Sequence, residues 1–237
     1  MILRDDAFST IVAAVERGRI IFENIRRFVV FLLSCNVSEV LVVGLASIAG
    51  APLPILPLHL LYLNFVTDVF PALALGVGRG DPGVMNQPPR PPDEAVMERR
   101  QWIDVATWGS LITLATLGAF GMARGVLAMP ETESVSIAFL TIGFAQLANV
   151  FNMRSETSGL LDNDIVRNGW VLGSVALCSG LLLVAVYVTP LADVLSITAP
   201  SATGWVIVAA ASLMPLIVGQ LVLVVRRGGR KTPREQL

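Results

Sequence analysis

The chain is 237 residues long, with 54% hydrophobic residues, only 15% charged ones and a formal net charge of −1. A soluble domain carries about a quarter charged residues, so this composition is too apolar for one and fits a polytopic membrane protein, while the total charge itself is uninformative. Its two cysteines, Cys35 and Cys178, have no metal-ligand spacing and make no disulfide framework, and they read as small packing residues.

The chain opens Met1-Ile2-Leu3, which resembles the end of a strand, and nothing there has the pattern of a cleavable signal peptide. Over residues 7–27, Ile11, Val12, Val15, Ile20, Ile21 and Ile25 recur at helical spacing among Glu16, Arg17, Arg19, Glu23 and Arg26. Asp6 or Ser9 is placed to cap the start. This stretch predicts a cytoplasmic stalk helix that runs into the first membrane span.

Crossing the hydrocarbon takes about 20 apolar residues, and six segments qualify: about 28–50, 55–77, 103–123, 135–152, 170–189 and 204–225. The predicted fold is therefore an all-α membrane protein, with six transmembrane helices preceded by the stalk. Ala51-Pro52-Leu53-Pro54 joins the first two spans as a tight turn, which makes them an antiparallel hairpin. The fourth span is interrupted by Gln146, Asn149 and Asn152, and the distribution of arginine decides for keeping it. With six spans, Arg17, Arg19, Arg26, Arg27, Arg79, Arg90, Arg99, Arg100, Arg154, Arg167 and the basic tail all face one side. The other side receives only Arg124, with Glu131, Glu133 and Asp193. The positive-inside rule then places both termini in the cytoplasm. Trp102, Trp108, Trp170, Tyr187 and Trp205 fall near span ends, as interfacial aromatics do. Residues 79–101, with Gly80-Asp81-Pro82 and Pro88-Pro89-Arg90-Pro91-Pro92, predict a stiff cytoplasmic connector, and the segment after Val225 a polar, basic tail.

Two polar clusters interrupt the apolar spans: Asn36 with Glu39, and Asn64 with Thr67 and Asp68. An acidic side chain at mid-membrane costs roughly 2.5–3.5 kcal/mol on insertion scales, so a pair of them calls for a function. Each cluster has helical spacing that puts its members on one face, and the hairpin lets the two faces meet. Pooled, they offer two carboxylates, two amide oxygens and a hydroxyl. These are hard donors suited to Ca²⁺, and less specifically to Mn²⁺, Mg²⁺ or Na⁺. Pro71 leaves the Thr67 carbonyl without its helical donor, and local unwinding there would add backbone oxygens. The competing reading is interhelical hydrogen bonding, which suits Asn36, Asn64 and Thr67 better than two ionised carboxylates. Gln146, Asn149 and Asn152, spaced by three, read first as such contacts, with Gln146 also a candidate ligand. His59 reads as an interfacial histidine, and Arg124 as a side chain snorkelling to the outer interface.

The stretch Asp5-Asp6 to Val15, Gly18-Arg19 and Asn36-Val37-Ser38-Glu39 resembles the P-type cation-transporting ATPases of the calcium-pump group. Leu60 to Asp68 is similar to their sixth membrane helix, and Met85 to Arg90 to the loop that follows it. The resemblance implies that residues 1–27 are the end of a phosphorylation domain and a stalk helix. It makes residues 28–225 the six-helix C-terminal transport domain and 226–237 a basic cytoplasmic tail. Asn36, Glu39, Asn64, Thr67 and Asp68 fall on the family's calcium-coordinating positions. Gln146 stands where two-ion pumps of the group place a glutamate, which implies one Ca²⁺ per cycle or another cation.

The family's phosphorylation motif, Asp-Lys-Thr-Gly-Thr, does not occur in this sequence, and the only lysine is Lys231. ATP and Mg²⁺ are then expected to act only in a complete pump, and no catalytic residue is assigned to this stretch. The expected partners are the lipid bilayer, the transported cation and the missing N-terminal pump portion, with no nucleic acid. The expected location is the plasma membrane of a prokaryote. The chain reads as a truncated product, a split gene or a degenerate copy. A self-standing channel or secondary carrier, or a pump-derived accessory membrane protein, are the alternative functions.

Overall fold

The computed structural model describes residues 8–78, 80, 83–86, 88–89, 91, 94–154 and 163–229, with backbone alone for 226–229. The expected strand end at Met1-Ile2-Leu3, the cap at Asp6, Arg79, Asp81-Pro82, Arg90, Pro92 and tail residues 230–237 lie outside the described residues.

Phe8–Ile48 forms one unbroken helix, α1, of 41 residues. At about 1.5 Å per residue it is about 60 Å long, roughly twice the hydrocarbon thickness, so its first half projects from the bundle as a stalk. The second span comprises α2 (Pro57–Leu63), a π-helical turn (Asn64–Asp68) and α3 (Val69–Gly76). Helix α4 (Arg99–Gly121) continues into a second π-helical turn (Met122–Val126), and α5 (Glu131–Asn149) into a 3₁₀ turn (Val150–Met153). Then come α6 (Gly169–Tyr187), the short α7 (Thr189–Leu195) and α8 (Ala202–Gly229). Six of these stretches are long and apolar enough to cross a membrane, and no strand occurs among the described residues. Helix α7 was not anticipated: the chain leaves the fifth span at Tyr187 and Pro190 sits in the first turn of a new helix.

Helix α5 is the axis of the bundle. Of its most apolar stretch 83% is buried, against 33–50% for the other five spans. Ile137, Phe139, Leu140 and Ile142 are fully enclosed by α2, α4, α6 and α8. Gly143 permits the closest approach, because a Cβ there would lie 2.9 Å from Leu182 and 3.1 Å from Leu63. This position explains why the fourth span carries so many polar groups: its surroundings are protein rather than lipid, so its amides find partners. Trp108 departs from expectation. It is 2% exposed, packed in a second core with Val30, Phe31 and Leu223, whereas Trp102 and Trp170 are exposed.

Two loops fold back on the root of the stalk. Asn24 Nδ2 donates to the carbonyls of Gly78 (2.7 Å) and Gly76 (3.3 Å), satisfying groups that the C-terminus of α3 leaves open. Arg19 donates to the carbonyl of Val84, and Arg26 to that of Val96 and to the Glu94 carboxylate (2.6 Å). Arg27 pairs with Asp164 and with Glu23. The described part of the proline-rich connector is therefore moored to α1 rather than free-standing. These contacts put the loops after α3 and after α5 at the same end of the bundle as the stalk.

Candidate cation site

The π-helical turn decides the local geometry of the second span. Pro71 has no N–H to give to the Thr67 carbonyl, so the α-helical ladder cannot close there. The chain widens to a π-turn over Asn64–Asp68 instead of unwinding, and Asp68 keeps helical dihedrals (φ −96°, ψ −49°). Such turns re-aim side chains without breaking the helix. Here Thr67 and Asp68 are turned inward and fully or almost fully buried, while Phe65 faces out.

Helix α1 brings Glu39 to the same level, 5% exposed. Asn64 Nδ2 donates to Glu39 Oε2 at 3.3 Å, and Asn36 Nδ2 to Asp68 Oδ2 at 3.4 Å. From the axial helix, Gln146 Nε2 donates to Glu39 Oε1 at 3.0 Å. The Thr67 hydroxyl faces two acceptors, Gln146 Oε1 at 2.8 Å and the Leu63 carbonyl at 2.9 Å. Glu39, Asn64, Thr67 and Gln146 thus form one hydrogen-bonded group and Asn36 with Asp68 a second, and the two carboxylates lie close enough to interact across α1 and the π-turn. Glu39, Thr67, Asp68 and Gln146 are buried, Asn64 is half-buried, and Asn36 lies on an open face of α1.

Asp68 Oδ1 is buried and makes no hydrogen bond among the described residues. A buried carboxylate oxygen without a donor is costly, and a bound cation is one way to relieve it. The amide oxygens of Asn36 and Asn64 are not used by the bonds that hold the carboxylates. No three His, Cys, Asp or Glu side chains converge among the described residues, so a thiolate or imidazole metal centre is not present there. The available donors are hard oxygens, which suits an alkaline-earth cation.

Two further side chains depart from expectation. The Cys35 thiol, expected only to pack, faces the Asp68 carboxylate, one turn before Glu39 on the same helix. Its position immediately before Asn36 was the one available signal. His59 is fully buried rather than interfacial, because both ring nitrogens are engaged by backbone, the Leu56 N–H and the Leu195 carbonyl. Asn149 and Asn152 stay outside the cluster. Asn152 bonds to Asn149 Oδ1 (3.0 Å), the Pro215 carbonyl (3.3 Å) and Gln220 (2.9 Å), joining α5 to α8 as expected of interhelical contacts. Arg124 pairs with Glu131 at 3.1 Å at the end opposite the stalk.

Residues 52–225 match the family model described as "Cation transporting ATPase, C-terminus". The chain is 38% identical over 223 residues to the calcium-transporting ATPase of Bacillus subtilis (strain 168), an alignment covering 93% of this chain and 25% of that protein. It is 32% identical over 242 residues to calcium-transporting ATPase 1 of Bacillus cereus (strain ATCC 10987 / NRS 248), covering 96% of this chain and 27% of the relative. The chain thus spans about a quarter of the length of these curated relatives.

Proposed function

The chain belongs to the family of cation-transporting ATPase C-terminal domains, and on that premise we propose that it is the cation-binding membrane domain of a calcium pump. One observation carries the proposal: two buried carboxylates, Glu39 on α1 and Asp68 on the π-turn, lie close enough to interact, and one Asp68 oxygen has no donor. Ca²⁺ is the preferred cargo on the oxygen donor set and on the names of the relatives; Mn²⁺, Mg²⁺ and Na⁺ are weaker candidates. Asn36, Glu39, Asn64, Thr67, Asp68 and Gln146 form the site. The exposed side of Asn36 is where further helices of a longer pump would complete it.

In this reading residues 1–27 join the stalk to a phosphorylation domain, residues 28–225 carry the cation, and residues 226–237 are a cytoplasmic tail. ATP and Mg²⁺ act on parts of a complete pump outside this stretch, and this stretch alone forms no acyl-phosphate. The arginine-rich stalk end faces the cytoplasm, both termini lie there, and the membrane is the prokaryotic plasma membrane.

The test is cation binding by the chain in lipid nanodiscs, followed by calorimetry with CaCl₂, MnCl₂, MgCl₂ and NaCl. Ca²⁺ should bind most tightly, and Asp68→Asn should weaken it by about ten-fold or more, since a charged ligand is replaced by a neutral one of the same shape. Unchanged affinity in both Asp68→Asn and Glu39→Gln would sink the reading.

A further inference from the structure

The two carboxylates of the site are not equivalent. Each oxygen of Glu39 already accepts an amide N–H, Oε1 from Gln146 and Oε2 from Asn64. Asp68 accepts one long amide bond on Oδ2, with the Cys35 thiol facing the carboxylate, and its buried Oδ1 accepts none. A cation is held by oxygen lone pairs directed at it, and an oxygen engaged by an N–H offers fewer of them.

Gln146 has spent both ends of its amide within the protein. Its N–H₂ is turned to Glu39, and its oxygen takes the Thr67 hydroxyl. The side chain is fully buried on the most enclosed helix of the bundle, so it has no room to swing to another partner. A ligating glutamine would present its oxygen to the ion, whereas here the nitrogen faces the acid.

We infer that Gln146 is a positioning residue that clamps Glu39 through an N–H donor, so that the cation seats on the Asp68 side of the carboxylate pair. The inference rests on the cation-site reading above and assigns unequal roles within it. Asp68 ligates through Oδ1. Glu39 supplies a fixed negative charge whose orientation the two amides set. Thr67 holds Gln146 from the other side and shares its single proton with the Leu63 carbonyl.

A glutamate at position 146 separates this role from a ligand role by the sign of its effect. If residue 146 ligates the ion, Gln146→Glu supplies a stronger oxygen donor and tightens binding. If it clamps, the substitution replaces a donor by an acceptor about a hydrogen-bond length from Glu39, and the two acids repel.

The experiment is equilibrium dialysis of the 237-residue chain in nanodiscs against ⁴⁵Ca²⁺, reading affinity and ions bound per chain. Gln146→Glu should weaken binding by about ten-fold or more, the usual worth of a hydrogen bond to a charged group. The exchange Glu39→Gln with Gln146→Glu restores one amide facing one acid, and it should recover much of that loss. Affinity equal to or tighter than the parent in Gln146→Glu overturns the inference. Should Gln146→Glu not fold, the exchange variant decides alone: a loss as large as that of Glu39→Gln by itself overturns it. Asp68→Asn is the control for the underlying site. If it binds as well as the parent, the site reading has failed, whatever residue 146 does.

Discussion

His59 Nε2 lies 2.6 Å from the carbonyl of Leu195, a residue 136 positions away in sequence. The other ring nitrogen, Nδ1, accepts the Leu56 N–H at 3.2 Å, so Nε2 carries the proton and donates it. One neutral imidazole therefore caps the start of α2 and ties it to the end of α7, with its ring 4.9 Å from that of Phe139. His59→Leu keeps the bulk and removes both bonds. It should cost on the order of 1–3 kcal/mol, the penalty for orphaning buried backbone groups. Thermal unfolding in detergent would show this as a clear fall in midpoint, and a midpoint equal to the parent's would mean that the tie contributes nothing.

Gly219 faces Asn152 so closely that a Cβ would lie 2.4 Å from Asn152 Nδ2. The asparagine cannot retreat without losing bonds to Asn149, Pro215 and Gln220. Gly219→Ala should therefore destabilise the α5–α8 contact by about 1–3 kcal/mol, despite the higher helix propensity of alanine. A stabilised Gly219→Ala protein, measured by the same melting assay, would contradict the packing described.

Arg26 holds the loop before α4 through Glu94 and two carbonyls, with both side chains partly in solvent. Arg26→Ala should cost only about 1 kcal/mol, because a pair partly in contact with solvent is screened. The effect should concentrate in residues 94–98, read out as faster amide hydrogen exchange there with the membrane spans unchanged. Uniform acceleration through the bundle would argue for a global role instead.

Six spans put residues 95 and 132 on opposite sides of the membrane. Single cysteines at these positions should label with a membrane-impermeant maleimide from opposite faces of sealed vesicles, residue 95 from the cytoplasmic side. The native Cys35 and Cys178 are both buried and add little background. Labelling of both sites from one face would remove a span from the scheme.

The long features of the fold could be read from residue pattern because they rest on local rules. Apolar length marks the spans, and the cost of Glu39 and Asp68 in hydrocarbon marks the candidate site. Gln146 was legible as a polar residue on a span but not in its orientation. Which end of its amide meets Glu39 depends on α5 packing against α1 and the π-turn, 107 and 79 residues away. The same holds for His59 with Leu195 and for Asn24 with Gly78, whose partners no spacing rule connects. Pro71 signalled a defect in the second helix, yet a missing N–H allows either unwinding or widening, and the surrounding packing selected widening. Trp108 looked interfacial by position along its helix, but the face it occupies is turned to α1 and α8 rather than to lipid.

The π-turn at Asn64–Asp68 also works as a one-residue phase shift in the second span. An α-helix advances about 100° per residue, so one surplus residue in a turn rotates everything after it by about that much relative to what precedes it. Above the turn the inward face carries His59 and Leu63; below it, Pro71, Ala74 and Leu75. Those two sets do not fall on one stripe of an uninterrupted helix with the same residues between. Closing this segment into an unbroken α-helix of the same residues would therefore do more than disturb the candidate cation site. It would turn one half of the span's apolar seam away from its neighbours, so the geometry that aims Asp68 is also what lets both halves of the helix pack at once.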